Sequence, residues 1–278
     1  DWIDALILGI VQGLAEYLPI SSSGHLEIFN SLLGSNLSGE DSLQFDVVLH
    51  VATVLSTIVV LWKKFVPLCT SFFTFKRDAN TTYVWKILLS CIPVGIVGVC
   101  FKDQVESFFG VSADGGNNLL LVGICLCVTA ALLAFAYFFR TRTFLRTNRT
   151  GRDITWLDAF VIGIGQAIAL CPGISRSGMT ITAGCFTGFE RKFAVRFAFL
   201  LSIPAVLGAN ILTLKDAIDA GIDFSSVPVY LVGVVVAAVS GYASIRLLRY
   251  VADKGRFGAF AYYCWAAGVL TLVLTILH

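Results

Sequence analysis

The sequence DALILGIVQGLAEYLPISSSGH, residues 4–25, joins an apolar helical run to a proline and then to a cluster of hydroxyl residues. A second stretch, DAFVIGIGQAIALCPGISRSGM, residues 158–179, aligns with it without a gap. The alignment places Gln12 on Gln166, Ser22 on Arg176 and Gly24 on Gly178. Polar clusters inside apolar sequence are costly in a bilayer and indicate function. Matched broken helices in two halves of a chain predict a binding site where the halves meet.

The composition indicates an integral membrane protein. Of the 278 residues, 57% are hydrophobic and only 14% are charged, whereas soluble proteins have about 25% charged residues. The net charge of +2 and the lack of basic runs interleaved with aromatics argue against a nucleic-acid partner. The eight cysteines are scattered without a CxxC pair, so we expect buried thiols rather than disulfides.

The apolar runs predict six membrane spans and two shorter helix pairs. A span needs about 20 apolar residues. The predicted spans are Phe45–Trp62, Val84–Phe101, Leu119–Phe139, Phe193–Leu214, Val227–Leu247 and Phe257–Leu277. In the proline-broken regions 2–33 and 156–188, each half is too short to cross, so we expect re-entrant helix pairs buried by protein.

The charges of the connecting segments predict the topology. Every basic connection falls on one side of the predicted spans and every acidic one on the other, so the basic side is predicted to be cytoplasmic. Each half contains one re-entrant pair and three spans, an odd number, which inverts the second half. The predicted fold is therefore an all-α integral membrane protein of two inverted-topology repeats, residues 1–139 and 156–278, joined by a basic cytoplasmic linker, residues 140–155. The two serine-rich tips should meet near the midplane.

The polar residues of the two tips predict an anion site. In the first tip, Gln12 and Glu16 are four residues apart and share a helix face. Ser21 to Gly24 can begin a second helix whose hydroxyl and N–H groups point at a ligand, and His25 lies three residues beyond Ser22. In the second tip Arg176 supplies a planar fork suited to phosphate. A carboxylate beside an anion makes sense if a divalent cation is shared with phosphate or if acid/base chemistry occurs.

Structural roles remain open for the same residues. The tip serines are equally well explained as helix caps, and the glutamines as partners of broken backbone. Glu16 and Arg176 could form a purely structural ion pair across the tips. Asp46 and His50, in the first span, are expected to line the bundle rather than to act in chemistry. The helix glycines, Gly9, Gly13 and Gly163, are expected to serve close packing.

Two motifs carry a resemblance to a known family. GLAEYLPISSSGHL, residues 13–26, and PGISRSGMT, residues 172–180, resemble the two signatures of the bacitracin-resistance type undecaprenyl-diphosphate phosphatases. The order of spans and the charges of the connections are similar from end to end. The resemblance implies hydrolysis of a polyprenyl diphosphate to the monophosphate, which recycles the lipid carrier of cell-wall synthesis. It also implies a divalent cation, Mg²⁺ or Ca²⁺, and a multi-pass protein of the bacterial plasma membrane with a site opening to the extracytoplasmic side.

The resemblance assigns roles by position. The catalytic residues that it implies are Glu16, Ser22, His25 and Arg176, with Ser22 as nucleophile and His25 as its base or as the acid for the leaving phosphate. The acidic pair of the family falls on Gln12 and Glu16, which become the predicted metal ligands; because Gln12 replaces a glutamate found in many members, only one carboxylate is present. The predicted substrate-binding residues are Gln12, Ser21, Ser23, Gln166, Ser175, Ser177 and Thr180.

One other class of protein fits the same pattern. Inverted repeats with broken helices also build transporters, so a lipid-phosphate flippase or an anion transporter is the alternative. Glu16 and His25 beside the anion donors favour hydrolysis, because simple anion passage does not use them. The sequence leaves open whether the chain forms a homodimer, how long the isoprenoid tail is, and whether Ser22 or water attacks the phosphate.

Overall fold

The described part of the chain folds into α-helices because apolar segments satisfy their backbone groups internally. The computed structural model describes residues 2–33, 40–101, 104, 107, 119–142, 154–219, 227–254 and 256–277. Its main helices are α1 (Trp2–Tyr17), α2 (Ser22–Leu33), α3 (Glu40–Val60), α4 (Trp62–Phe73), α5 (Ala79–Cys100), α6 (Leu119–Arg142), α7 (Trp156–Ile168), α8 (Arg176–Phe186), α9 (Arg191–Asp219), α10 (Val227–Lys254) and α11 (Gly258–Leu277). Most of the predicted linker, residues 143–153, lies outside the described residues.

Polar caps define where two of these helices begin. Thr155 and Asp158 form a capping box at α7, in which the Thr155 N–H donates to the Asp158 carboxylate at 2.8 Å and the Asp158 N–H donates to Thr155 Oγ1 at 3.2 Å. Asp78 caps α5 by accepting from the Thr81 N–H at 2.9 Å, and it also accepts from the Ser71 hydroxyl at 2.8 Å. These bonds stabilise the carboxylate and hold the pKa of Asp78 below its usual value.

The chain is a multi-pass membrane protein. Within the described residues, five helices are long and apolar enough to span a bilayer: α5, α6, α9, α10 and α11. A sixth candidate consists of α3 and α4 together, which are bent by 95° at their junction. The predicted regions 2–33 and 156–188 form the expected helix pairs, α1 with α2 and α7 with α8.

The predicted span Phe45–Trp62 is wrong at its end. The apolar helix stops at Val60, and the chain turns at Leu61 into a separate helix, α4. Lys63 and Lys64 lie just after the end of α3. If α3 had continued in the same direction, the span would have contained both charges, whereas the turn leaves both side chains exposed.

Helix packing follows the internal repeat. Helix α1 packs on α10, and its counterpart in the alignment, α7, packs on α5. Likewise α3 packs on α10 while its counterpart α9 packs on α5. Two other interfaces join counterparts to each other, α3 with α9 and α6 with α11. This exchange of partners is what a two-fold relation between the halves would give, and their opposite orientation in the membrane stays a prediction.

Small residues allow the helices of the two predicted re-entrant pairs to approach their partners closely, as expected for membrane helices. A Cβ atom on Gly9 would lie 2.9 Å from the carbonyl oxygen of Gly233 in α10. In the other half, a Cβ on Gly163 would lie 2.6 Å from the carbonyl oxygen of Ser90 in α5. The packing role predicted for these glycines is confirmed.

Candidate active site

The two tips meet, as the repeat predicted. Ser23 Oγ accepts from the Gly173 N–H at 3.4 Å, and Ser177 Oγ donates to the Leu18 carbonyl oxygen at 3.0 Å. Ser23 and Ser177 are equivalent in the alignment, so each tip holds the other through the same position. The turn of one tip is therefore fixed by the first helical turn of the other.

Two of the tip serines act as helix caps. Ser21 Oγ accepts from the Gly24 N–H at 3.3 Å, and Ser175 Oγ accepts from the Gly178 N–H at 3.1 Å. Thr180, the third buried hydroxyl of this group, donates to the Arg176 carbonyl oxygen at 2.8 Å. These three side chains organise the tip backbones, which is the structural role that the sequence left open for the serines.

Ser21 also has an unusual backbone conformation. Its φ of 72° lies in the left-handed region, which non-glycine residues rarely adopt. The turn aims its carbonyl oxygen into α2, where it accepts from the His25 N–H at 3.2 Å and from His25 Nδ1 at 2.8 Å. Such strain persists only where the surrounding structure enforces it, and it is common at functional sites.

Glu16 is the centre at which both tips converge. Its Oε1 atom accepts from Nη2 of Arg176, the first residue of α8. Its Oε2 atom accepts from the Ser22 hydroxyl at 2.7 Å and from Gln12 Nε2 at 3.2 Å. The Glu16 side chain is only 2% exposed and that of Arg176 is 26% exposed, so the guanidinium forms the open edge of the cluster. Ser22 and Arg176, which occupy equivalent positions in the alignment, therefore come together through Glu16.

Two glutamines at equivalent positions have unpaired polar atoms. Gln12 Oε1 and Gln166 Nε2 are buried and have no hydrogen-bond partner in the described structure. Leaving a buried polar atom unpaired costs about 1–3 kcal/mol, so such atoms call for an explanation. The unpaired oxygen of Gln12 can accept from water or coordinate a cation, and the unpaired N–H of Gln166 can donate to an anion.

His25 does not join this cluster. Its Nδ1 atom lies 2.8 Å from the Ser21 carbonyl oxygen and its Nε2 atom lies 2.9 Å from the Tyr263 hydroxyl, with the two rings stacked. A carbonyl oxygen only accepts, so Nδ1 carries the proton and Nε2 accepts from Tyr263. His25 lies three residues beyond Ser22 in the sequence, but neither ring nitrogen bonds to the Ser22 hydroxyl.

His50 is the imidazole beside Glu16. Its Nε2 atom lies 3.8 Å from Glu16 Oε2, while its Nδ1 atom lies 2.7 Å from the Asp46 carbonyl oxygen. Sequence reasoning placed His50 in the lining of the bundle and missed this proximity. The available signal was a histidine in the middle of an apolar span, which is costly unless it faces a polar site.

The residues that could hold a metal ion are few. No group of three or more His, Cys, Asp or Glu side chains comes together in the described residues. Around Glu16, the oxygen donors are its own carboxylate, the unpaired Gln12 Oε1 and the Ser22 hydroxyl. Oxygen donors of this kind suit Mg²⁺ or Ca²⁺, whose remaining ligands are commonly water and substrate phosphate. The donor set therefore fits a cation shared with a bound phosphate.

Comparison with known proteins gives a consistent result. The family model described as bacitracin resistance protein BacA matches residues 5–270. The undecaprenyl-diphosphatase of Parabacteroides distasonis is 44% identical over 279 residues, covering 100% of this chain and 99% of the relative. That of Bacteroides fragilis is 43% identical with full coverage of both chains, and that of Halothermothrix orenii is 37% identical, covering 97% and 96%. The chain belongs to the bacitracin resistance protein BacA family.

Proposed function

We propose that this protein hydrolyses undecaprenyl diphosphate, or a polyprenyl diphosphate of similar length, to the monophosphate and inorganic phosphate. The activity would return the lipid carrier to cell-wall synthesis in the inner membrane. The observation that carries the proposal is the convergence of Arg176, Ser22 and Gln12 on the buried carboxylate of Glu16. The names of the full-length relatives support the same reaction.

Arg176 and the tip backbones bind the diphosphate in this proposal. The Arg176 guanidinium has five N–H donors, and its Nη2 atom donates to Glu16. The other donors are left for phosphate oxygens at the open edge of the cluster. Gln166 Nε2 adds an unpaired donor. Catalysis of phosphoryl transfer rests mostly on positioning and on stabilising charge, and these groups supply both.

Ser22 is the proposed nucleophile, and Glu16 is placed to accept its proton. The Ser22 hydroxyl donates to Glu16 Oε2 at 2.7 Å, the geometry that a base needs. Attack of Ser22 Oγ on the terminal phosphorus breaks the bond to the bridging oxygen and releases the lipid monophosphate. Water then hydrolyses the phosphoserine to inorganic phosphate. His25 is hydrogen-bonded to the Ser21 carbonyl oxygen, so it stabilises the turn before Ser22 and acts as a positioning residue.

A divalent cation fits the same oxygens. Glu16 and Gln12 Oε1 would hold it, and when bound it would neutralise charge on the transferring phosphoryl group. In this proposal the site opens to the extracytoplasmic side, as the family resemblance implies. A homodimer stays a hypothesis.

Comparing Ser22→Ala with Ser23→Ala tests the nucleophile. Ser23 is the matched control, because its exposed hydroxyl lies one residue further on and contacts Gly173 instead of Glu16. With purified protein and a C55 lipid diphosphate, we expect Ser22→Ala to lower the rate of phosphate release by about 10³-fold or more. Ser23→Ala should lower the rate by less than about tenfold, which corresponds to the net free energy of one hydrogen bond. Acid quench in the first turnover should show lipid monophosphate before free phosphate.

Two outcomes would decide against parts of this proposal. If both products appear together and Ser22→Ala loses only about tenfold, water attacks directly and Ser22 orients the phosphate. If the wild-type protein in detergent releases no phosphate but moves a lipid phosphate across vesicles, the flippase alternative is correct and hydrolysis is not.

A further inference from the structure

A second basic site lies away from the tips, in a cavity of about 880 Å³ between α4, α5 and the beginning of α9. Four cations and one carboxylate line it: Lys63, Lys64, Lys86, Arg196 and Glu190. None of the active-site residues lines this cavity. The cavity begins just after the end of α3 at Val60, and His50, which lies beside Glu16, is ten residues earlier in the same helix. At 1.5 Å per residue, the cavity is therefore about 15 Å from Glu16.

Among the described residues, the positive charges of this cavity outnumber the negative ones. Within the described residues, Lys63, Lys64 and Arg196 have no ion-pair partner, and Glu190 forms no side-chain bond. Lys86 is fixed, since its ammonium donates to the Ile154 carbonyl oxygen at 2.6 Å and lies 5.5 Å from the centre of the Trp156 ring. Like charges that converge from three helices repel each other, so a bound anion would stabilise the arrangement.

The helix beside the cavity places it at the membrane surface. Helix α4 turns 95° from α3. With α3 as the part of this bent pair that crosses the bilayer, α4 lies close to the bilayer plane. The aromatic side chains of Trp62, Phe73 and Phe75 are 58%, 74% and 88% exposed on or just after α4. Exposed aromatics beside lysines are typical of an interfacial helix. The cavity therefore opens at the level of lipid head groups.

The walls of the cavity contain apolar as well as basic side chains. Pro67 and Leu68 of α4 face Phe193 and Leu200 of α9 across it, and Tyr83 of α5 contributes an aromatic ring. A free phosphate ion would use only the basic groups, whereas an acyl or isoprenoid chain would cover the apolar ones. Anionic lipid head groups are attracted to such basic sites from the cytoplasmic leaflet, the side on which these residues are predicted to lie.

We propose that this cavity binds the phosphate group of an anionic lipid, with Lys63, Lys64 and Arg196 as its charged contacts and Lys86 as a fixed wall. The site is distinct from the catalytic one and does not depend on hydrolysis. The alternative is that these cations only set the topology of the chain, as basic residues at cytoplasmic helix ends generally do. The test must therefore separate this cavity from basic surface in general.

Native mass spectrometry of the full chain in detergent, titrated with phosphatidic acid or with phosphatidylcholine, provides that test. We expect wild type to retain one phosphatidic acid in preference to phosphatidylcholine. The double variant Lys63→Gln/Arg196→Gln should bind it about 30-fold more weakly, at about fivefold for each charge. The matched control Arg246→Gln/Lys254→Gln removes two exposed cations that lie over Tyr242 and Tyr250 outside the cavity, and it should bind like wild type.

A second variant tests the site by a gain of binding. Glu190→Gln removes the carboxylate that lines the cavity among the described residues, and it should tighten phosphatidic acid binding about fivefold. The proposal is overturned if wild type shows no preference for the anionic lipid, if both double variants weaken binding equally, or if Glu190→Gln leaves affinity unchanged. The assignment to a lipid is wrong if the lipid does not bind while inorganic phosphate raises the thermal unfolding midpoint of wild type and not that of Lys63→Gln/Arg196→Gln. Retained hydrolysis by each variant checks that it is folded.

Discussion

Replacing Glu16 by Gln separates a catalytic carboxylate from a structural ion pair. The substitution keeps the shape of the side chain and removes the charge on which Arg176, Ser22 and Gln12 converge. Breaking a fully buried ion pair costs about 3–5 kcal/mol. Because the Arg176 side chain is 26% exposed, water compensates part of its charge, and we expect a loss of about 2 kcal/mol.

The effect on hydrolysis should be far larger than the effect on stability. Without the carboxylate, Ser22 has no base, and loss of general base catalysis costs about 10²–10⁴-fold. Thermal unfolding of the purified protein should shift by about 5 °C, while phosphate release from the C55 diphosphate falls by about 10³-fold. Raising the Mg²⁺ concentration should restore part of the rate if Glu16 is also a metal ligand.

The double variant Glu16→Gln/Arg176→Gln identifies which role matters. Removing both charges leaves no unpaired ion, so stability should return to within about 1 kcal/mol of wild type. Hydrolysis should stay low, because neither the base nor the phosphate-binding fork is restored. Asp253→Asn is the control: it breaks the Lys192–Asp253 pair at 3.2 Å, whose side chains are 56% and 57% exposed, and should cost less than about 1 kcal/mol. A double variant that hydrolyses at the wild-type rate would refute the catalytic role and leave a structural ion pair.

Two further predictions test the packing and the role of the second imidazole. Gly13→Ala should destabilise the protein by about 1–3 kcal/mol, because its Cβ would lie 2.0 Å from Ser240 Oγ and 2.5 Å from a backbone oxygen of α10. The control Gly95→Ala, whose Cβ would have nothing within 4 Å, should be neutral or slightly stabilising. Equal thermal unfolding midpoints for the two variants would contradict the close approach of α1 and α10. His50→Gln should lower turnover by about tenfold, because Nε2 lies 3.8 Å from Glu16 Oε2, which is near the carboxylate but beyond hydrogen-bond distance. Steady-state kinetics at saturating substrate measures this, and a loss as large as that of Glu16→Gln would make His50 the base.

The sequence by itself determined the class of the protein and pointed to the two tips as its candidate site. Long apolar runs have only one stable form in a bilayer, so the spans and the broken helix pairs could be predicted from composition and length. The repeat also predicted that the two tips meet, and Ser22 and Arg176 occupy equivalent positions in those tips. Helix periodicity placed Gln12 and Glu16 on one face, where their side chains bond at 3.2 Å.

Only the tertiary structure decided which side chains touch in the site. Sequence spacing put His25 near Ser22, but the left-handed turn at Ser21 directs its ring to the Ser21 carbonyl and to Tyr263, a residue of the last helix. The same packing brings His50 of α3 to Glu16 of α1, a contact that no local pattern encodes. The turn after Val60 likewise places α4 against α5, a contact between helices that their separate sequences do not specify. Helix periodicity determines which face of a helix a residue occupies. The side chains that this face contacts depend on packing between segments far apart in the chain.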